Sequence, residues 1–458
     1  MTKDGKKSID IIMKRNTFEE IDNFFSRIFI RITLELNLPH LLAWYASKRL
    51  KTIEPKFFNN KTIFALSHFR FRGELEMLSS KGYKICFLNP LFVSTIQHFF
   101  YKNLNPTKYT HHNPKEGSVF FDSKEKINQF YKKFLKNFNN FRKINLLISP
   151  MAHYSNDMHL GSAGQEIGIP YIVLHRAGII LNNISLNYLV KRYKKLGNFK
   201  GQKLIVQNNI IKNVFLKSKF CNKNQIEVIG STRLKRIVDK KDKFREDINS
   251  RETLTLFSFT HALGRSIFND EETNISYDWV DDSKKGLVNF FYNVHKQVIL
   301  FALNNPNFNV IIKLKWGEEW FKRVQIIVDE VCDYEQPKNL KIVIGNDGTD
   351  YIIRSKVVIA FGSTVILESG LLGKHVIMPI FDEAADDQFS KFFPLNEAIN
   401  ACYLAESPNA IVSLAESLLY TPSQGYGKNK RMKFLYQKYL GSLDDNPDQK
   451  LIDLLKDI

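Results

Sequence analysis

Cysteine is scarce: Cys86, Cys221, Cys332 and Cys402 are the only four in 458 residues, and no two form a Cys-x-x-Cys pair. That leaves neither a disulfide framework nor a zinc site, and the thiols read as reduced and intracellular. A Gly-x-Gly-x-x-Gly fingerprint is missing, which argues against a nicotinamide enzyme. An uninterrupted apolar run of membrane-spanning length is missing too. Residues 24–44 are strongly apolar, but Arg27, Arg31, Glu35 and Pro39 interrupt them. The first fifteen residues are polar and basic, without the apolar core and small-residue cleavage site of a secretory signal. The positive charge is never gathered into one block, and neither a zinc-finger spacing nor an aromatic-basic RNA signature occurs. Nucleic acid is therefore not expected as a partner.

What is present is a basic chain, with 66 Lys and Arg against 47 Asp and Glu and a net charge of +19. Such a balance favours anionic partners, nucleotide substrates and anionic membrane surfaces among them. Hydrophobic residues at 44% and charged residues at 25% are ordinary globular values, so a sizeable core can be buried. The length exceeds one ordinary core and predicts more than one domain. Near the amino end, Ile28, Ile32 and Leu36 fall at helical spacing and the basic run 48–51 follows. An amphipathic helix there either packs on the protein or lies on a membrane face, and packing is the expected outcome.

From residue 56 the pattern alternates. Strands are predicted over 62–67, 83–88, 145–149, 170–174, 204–207 and 226–229, with helices over 74–80, 124–138 and 157–168 between them. A charged stretch, 235–251, reads as a connector. The alternation restarts with strands over 253–259, 309–314, 340–344, 357–361 and 375–379, and helices over 287–303, 320–331 and 349–354. The polar, acidic stretch 264–285 reads as a surface loop. This is the pattern of two doubly wound parallel sheets. The expected domains are a helical, basic segment 1–55, an acceptor domain 56–235, a linker 236–252, a donor domain 253–430 and a helical tail 431–458.

The sharpest signal is 356–379, K-V-V-I-A-F-G-S-T-V-I-L-E-S-G-L-L-G-K-H-V-I-M-P. It predicts strand, Gly-Ser-Thr turn, helix and strand, with Ser363 as N-cap and Gly373 as the stop. Free backbone N–H groups at that helix start, with the Ser363 and Thr364 hydroxyls, suit a phosphate. The same residues also suit an ordinary helix cap. Glu368 is not three residues after either hydroxyl, so a capping box does not explain it, and its carboxylate could accept from a ribose. Ligands of open parallel sheets bind beyond the carboxyl ends of the strands. The polar residues predicted there are His68, Arg70, Arg72, His153, Asn156, His175 and Arg176 in the first half. In the second half they are Thr260, His261, Lys313, Lys315, Asp347, Gly362, Ser363, Thr364, Asp382 and Glu383.

The run F-G-S-T-V-I-L-E-S-G-L-L-G-K-H-V-I-M-P, with F-D-E-A after it, resembles the carboxyl-half signature of bacterial surface-carbohydrate and capsule glycosyltransferases of the GT-B fold. Similar segments occur in CDP-glycerol glycerophosphotransferases and nucleotide-sugar 2-epimerases. A-G-Q-E-I-G-I-P-Y-I-V-L-H-R-A-G (163–178) and I-E-V-I-G-S-T-R-L (226–234) resemble the amino-half landmarks of the same proteins. The resemblance implies two Rossmann-like domains facing a cleft, and a nucleotide sugar as donor. It places Ser363, Thr364, Gly362, Thr260 and His261 near the donor phosphates, Glu368 at the ribose and Lys313 at a strand end. Here Lys315-Trp316-Gly317 departs from the His-Pro expected after that strand. Asp-x-Asp does not occur, which argues against a metal-chelating transferase of the other major fold, and neither a cofactor nor a metal is expected.

Sugar transfer needs a base for the acceptor hydroxyl and positive groups for the leaving phosphate. His68 and His153 are the candidate bases, with Asp157 behind them, and each also fits a structural role. Arg176, Lys313 and the Ser363 helix start are assigned to the leaving group. Asp382 and Glu383 are placed to touch the sugar or to serve a helix start. The acceptor implied is a growing glycan or a lipid-linked one, reached in the cytoplasm with peripheral contact at the inner membrane face left open. A CDP-glycerol-type phosphotransferase and a non-catalytic basic membrane-surface module are the alternatives.

Overall fold

A computed structural model describes residues 21–102, 118–178, 183–243, 252–260, 287–315, 317–345, 347–386, 396–425, 427–441 and 446–458. The chain divides into two units, each built on its own mostly parallel sheet. Both Rossmann-like, doubly wound sheets expected of a GT-B chain are thus present.

The first sheet is formed by β1 (Lys51–Ile53), β2 (Thr62–Ala65), β3 (Lys84–Phe87), β4 (Leu146–Ser149), β5 (Tyr171–His175), β6 (Lys203–Val206) and β7 (Ile226–Val228). Their order is β1-β3-β2-β4-β5-β6-β7, with β1 antiparallel at the edge and every other pair parallel. Short apolar runs make these strands because both faces of a central parallel strand are covered: β4 and β5 are buried along their whole length. The winding direction reverses between β2 and β4, which puts the crevice of this sheet beyond Ala65 and Ser149. The last helix, Pro447–Lys456, belongs to this unit, where Leu451 and Leu455 join Ile63, Ile85 and Ile148 in one core.

The second sheet is formed by β8 (Thr253–Phe257), β9 (Asn309–Lys313), β10 (Leu340–Val343), β11 (Val357–Ala360), β12 (His375–Pro379) and β13 (Tyr403–Ala405). Its order is β10-β9-β8-β11-β12-β13, all parallel. This is the Rossmann order, whose reversal lies between the first and fourth strands, here β8 and β11. Val298, Phe301, Ile312, Val357, Ile359 and Ile377 are fully buried in its core, and each such side chain contributes roughly 1.5–3 kcal/mol by burial. Gly373 lies at φ 78°, and a Cβ there would meet the Gly425 carbonyl oxygen at 2.3 Å, so the stop of helix Val365–Leu371 requires glycine.

Two expectations change. The stretch 235–251, read as a connector, begins inside a helix, Thr232–Lys243, with Ile237 buried. The helix over 21–35 packs through Ile30 and Leu34, while Ile28, Ile32 and Leu36 point to solvent. The stripe expected to pack on the protein is therefore the exposed one. The surface loop expected over 264–285 lies outside the described residues.

Candidate functional site

In the second unit the sheet register sets the site. Val343, Lys313, Phe257 and Ala360 stand side by side at the carboxyl edge. Just beyond that row, at the reversal between β8 and β11, come Thr260 and the turn Gly362-Ser363-Thr364. Gly362 takes φ 56°, which turns the chain sharply out of β11. Gly362, Ser363 and Thr364 are half-buried and the helix Val365–Leu371 behind them is buried throughout, so the turn is the accessible end of this element. Ser363 Oγ accepts from the Val365 N–H at 3.3 Å and keeps its own proton to donate. The hydroxyls of Thr260 and Thr364 have no hydrogen-bond partner among the described residues.

Lys313 is buried at the end of β9; its Nζ donates to the Leu314 carbonyl at 2.8 Å and lies 5.9 Å from the Tyr351 ring centroid. Glu368 is 5% exposed, and its Oε2 lies 3.3 Å from Nη2 of Arg233, the second residue of helix Thr232–Lys243. That oxygen is buried and accepts no hydrogen bond, so charge rather than a directed bond holds the pair. The same Nη2 reaches Asp347 Oδ1 at 3.5 Å and Thr349 Oγ1 at 3.3 Å. Burial opposes ionisation of Asp347, yet Arg233 and Thr349 outweigh it and hold the carboxyl below its ordinary value. Arg233 lies within the I-G-S-T-R-L segment, but nothing in spacing alone connects it to Glu368.

Asp382 and Glu383 are occupied by a helix. Glu383 accepts from the backbone N–H groups of Asn289 (3.0 Å) and Phe290 (2.7 Å), the start of helix Val288–Asn304. Asp382 accepts from Asn293 Nδ2 at 2.7 Å on the same helix. His261 lies outside the described residues.

In the first unit a cavity of about 1010 Å³ opens at the β2/β4 reversal. His68, His153 and Asp157 all line it; Arg176 does not. His68 stacks on Phe87 with ring centroids 3.9 Å apart, and its imidazole has no hydrogen-bond partner among the described residues. Burial, helped by Lys51, pushes its pKa down, so the imidazole is neutral and able to accept a proton. His153 Nδ1 lies 3.1 Å from the Tyr193 hydroxyl. Asp157 is buried and clamps the reversal: Oδ1 accepts from Ser67 Oγ and Oδ2 from Ser149 Oγ, both at 2.8 Å. Burial pushes its carboxyl up to about 6 against the pull of those two hydroxyls.

Arg176 is held by the fold. Its Nε lies 3.3 Å from buried Glu74 and its Nη1 donates to the Arg70 carbonyl, while the Arg72 N–H donates to the other Glu74 oxygen. His175 accepts from the Ala152 N–H at 3.2 Å, and burial pushes its pKa down to about 3. Sequence reasoning missed the cavity's arginines on the amino-terminal helix, Arg27 and Arg31, which appear in the sequence only as breaks in an apolar run.

No group of three or more His, Cys, Asp or Glu side chains able to hold a metal ion occurs among the described residues. No protein-family model matches the chain, and no curated protein matches it. Among solved structures it is similar to UDP-GlcNAc 2-epimerase from Neisseria meningitidis bound to UDP-GlcNAc, at 13% identity and TM-score 0.48, over 87% of this chain and 99% of that one. It is similar to a glycosyltransferase from Rickettsia africae at 14% identity and TM-score 0.42, with the same coverages of 87% and 99%. A third similar structure is UDP-GlcNAc 2-epimerase from Methanocaldococcus jannaschii in complex with UDP-GlcNAc and UDP, at 12% identity, TM-score 0.46 and coverages of 87% and 99%.

Proposed function

We propose that this chain is a metal-independent glycosyltransferase that moves a sugar from a nucleotide-activated donor to a glycan or lipid-linked acceptor in surface-polysaccharide synthesis, at the cytoplasmic face of the membrane. The observation that carries the proposal is the β8/β11 reversal, where a half-buried Gly-Ser-Thr turn and Thr260 lie at the carboxyl edge of the sheet, with Lys313 on the same edge at the end of β9. The donor phosphates sit against the Ser363 and Thr364 hydroxyls and the adjoining backbone N–H groups, with Lys313 supplying positive charge. Glu368, oriented by Arg233, serves the ribose.

In the reaction the acceptor oxygen bonds to the anomeric carbon as the bond from that carbon to the donor phosphate oxygen breaks. The electron pair leaves with the nucleotide, and the acceptor proton passes to His68, whose neutral ring has an open nitrogen. His153 lies in the same cavity, with Nδ1 shared with Tyr193. Asp157 shapes the cavity by bridging Ser67 and Ser149. Arg176 acts through Glu74, as a positioning residue for the 70–74 turn. The experiment is a panel of UDP-, GDP- and CDP-activated sugars and CDP-glycerol with extracted lipid and glycan acceptors, read as nucleotide release together with labelled product. Sugar transfer from one donor supports the proposal; glycerol phosphate transfer alone would replace it with a phosphotransferase.

A further inference from the structure

The cavity of the first unit carries more positive charge than a neutral sugar needs. Arg27, Arg31, Arg70 and Arg192 line it together with His68 and His98, and Asp157 is the one carboxylate among the lining residues. Both Asp157 oxygens accept from serine hydroxyls, so that carboxylate is spent inside the wall. Arg27, Arg31 and Arg192 pair with no carboxylate among the described residues. Arg70 donates to the Tyr154 hydroxyl at 2.8 Å and lies 4.3 Å from that ring's centroid, which fixes its direction. Four guanidinium groups around one space repel each other unless an anion joins them, and their forked donors match phosphate oxygens.

The helix that carries two of these arginines also explains what bears the phosphate. Ile30 and Leu34 anchor it inward, and Ser26 meets Tyr45 at 2.8 Å. On its other side Phe24, Phe25, Ile28, Ile32 and Leu36 are between 40% and 62% exposed. At 100° per residue the first four share one face, with Leu36 in the turn that follows, and Phe24 and Ile28 stand three residues before Arg27 and Arg31, adjacent to them on the helix surface. This face is apolar except for exposed Glu35 near its carboxyl end, and an apolar face bordered by arginines is the pattern of a helix lying in a membrane interface. No helix among the described residues is long and apolar enough to cross a membrane.

We infer that this cavity binds the phosphate of a lipid-linked acceptor, not the phosphodiester of a bulk phospholipid, through Arg27, Arg31, Arg70 and Arg192, while the apolar face of the 21–35 helix enters the same membrane. The inference rests on the transferase reading only in taking the lipid-linked acceptor as its ligand; a proton-bearing hydroxyl of that acceptor, not the bound phosphate, takes the sugar.

Flotation of the full chain without nucleotide tests it, using phosphatidylcholine vesicles, the same vesicles with isoprenyl phosphate, and phosphatidylserine vesicles of equal charge. Calorimetry with geranyl phosphate and glucose 1-phosphate reads binding in solution. The expected result is at least about tenfold stronger partition onto isoprenyl phosphate vesicles than onto either other kind, the scale of charge-assisted hydrogen bonds. Arg27→Gln with Arg31→Gln should erase that difference, and Arg27→Lys with Arg31→Lys should restore part of it. Phe24→Ser with Phe25→Ser should weaken partition onto all vesicles yet leave geranyl phosphate binding unchanged. Equal partition onto phosphatidylserine and isoprenyl phosphate vesicles would overturn the inference, as would glucose 1-phosphate binding as tightly as geranyl phosphate. Stabilisation by nucleotide is read separately, so failure of the donor reading and failure of this one are distinguishable.

Discussion

Arg233 Nη2 lies 3.3 Å from Glu368 Oε2, and their side chains are only 14% and 5% exposed. A helix that opens the second half of the chain is thereby tied to the helix that follows the Gly-Ser-Thr turn. Removing one member of a buried pair leaves the other charge uncompensated, at a cost of roughly 3–5 kcal/mol. Arg233→Met and Glu368→Leu should each lower stability on that scale in urea unfolding. The double variant should lose markedly less than the sum. Strict additivity would mean that the two residues are not coupled.

Glu383 caps helix Val288–Asn304 through two backbone N–H groups, at 3.0 and 2.7 Å. Glu383→Ala should cost about 1 kcal/mol of stability, as loss of a helix cap does. Donor KM should stay unchanged. A large KM effect with full stability would return Glu383 to the sugar.

The strand alternation was legible because central parallel strands are short continuous apolar runs, as in 357–361 and 375–379, observed as Val357–Ala360 and His375–Pro379. Edge strands β1 and β13 were not, since Lys51–Ile53 and Tyr403–Ala405 are too short and too exposed to show a period. Helix Thr232–Lys243 escaped notice because its charge hides the buried anchor Ile237. Polar residues could be placed at strand exits, but their partners could not. Spacing does not show that Arg176 is held by Glu74 or that Glu383 serves a helix about ninety residues earlier in the chain. Apolar spacing also pointed to the wrong face of the 21–35 helix, because Ile28 and Ile30 are equally hydrophobic and only packing tells them apart.

Asp157 should make stability depend on pH. Its carboxyl is raised from 3.8 to about 6, so the folded state holds a proton that the unfolded state releases earlier. Stability from this group therefore falls as pH rises from about 4 through about 6, by roughly 3 kcal/mol in full. Asp157→Asn should flatten that decline, with its gain over wild type larger at pH 8 than at pH 4. Urea midpoints across the range measure it. An identical pH slope in both proteins would place the titration elsewhere.

His68→Gln should lower turnover by roughly 10²–10⁴, the usual range for loss of a general base. Stabilisation by nucleotide should survive, because His68 and the β8/β11 turn belong to different units. Unchanged turnover would move the base to His153.

The central claim is a nucleotide site at the β8/β11 reversal, and ligand-induced thermal stabilisation tests it most directly. Wild type, Glu368→Ala and Thr364→Val with Ser363→Ala are heated with UDP, CDP, GDP, ADP and CMP, each variant referred to its own ligand-free melting temperature. A ligand that binds only the native state raises that temperature, by about 2.7 kcal/mol of stability at a hundredfold excess over Kd. The account predicts a shift for one nucleotide, lost or strongly reduced in both variants. No shift with any nucleotide, or a shift that both variants keep in full, would contradict it.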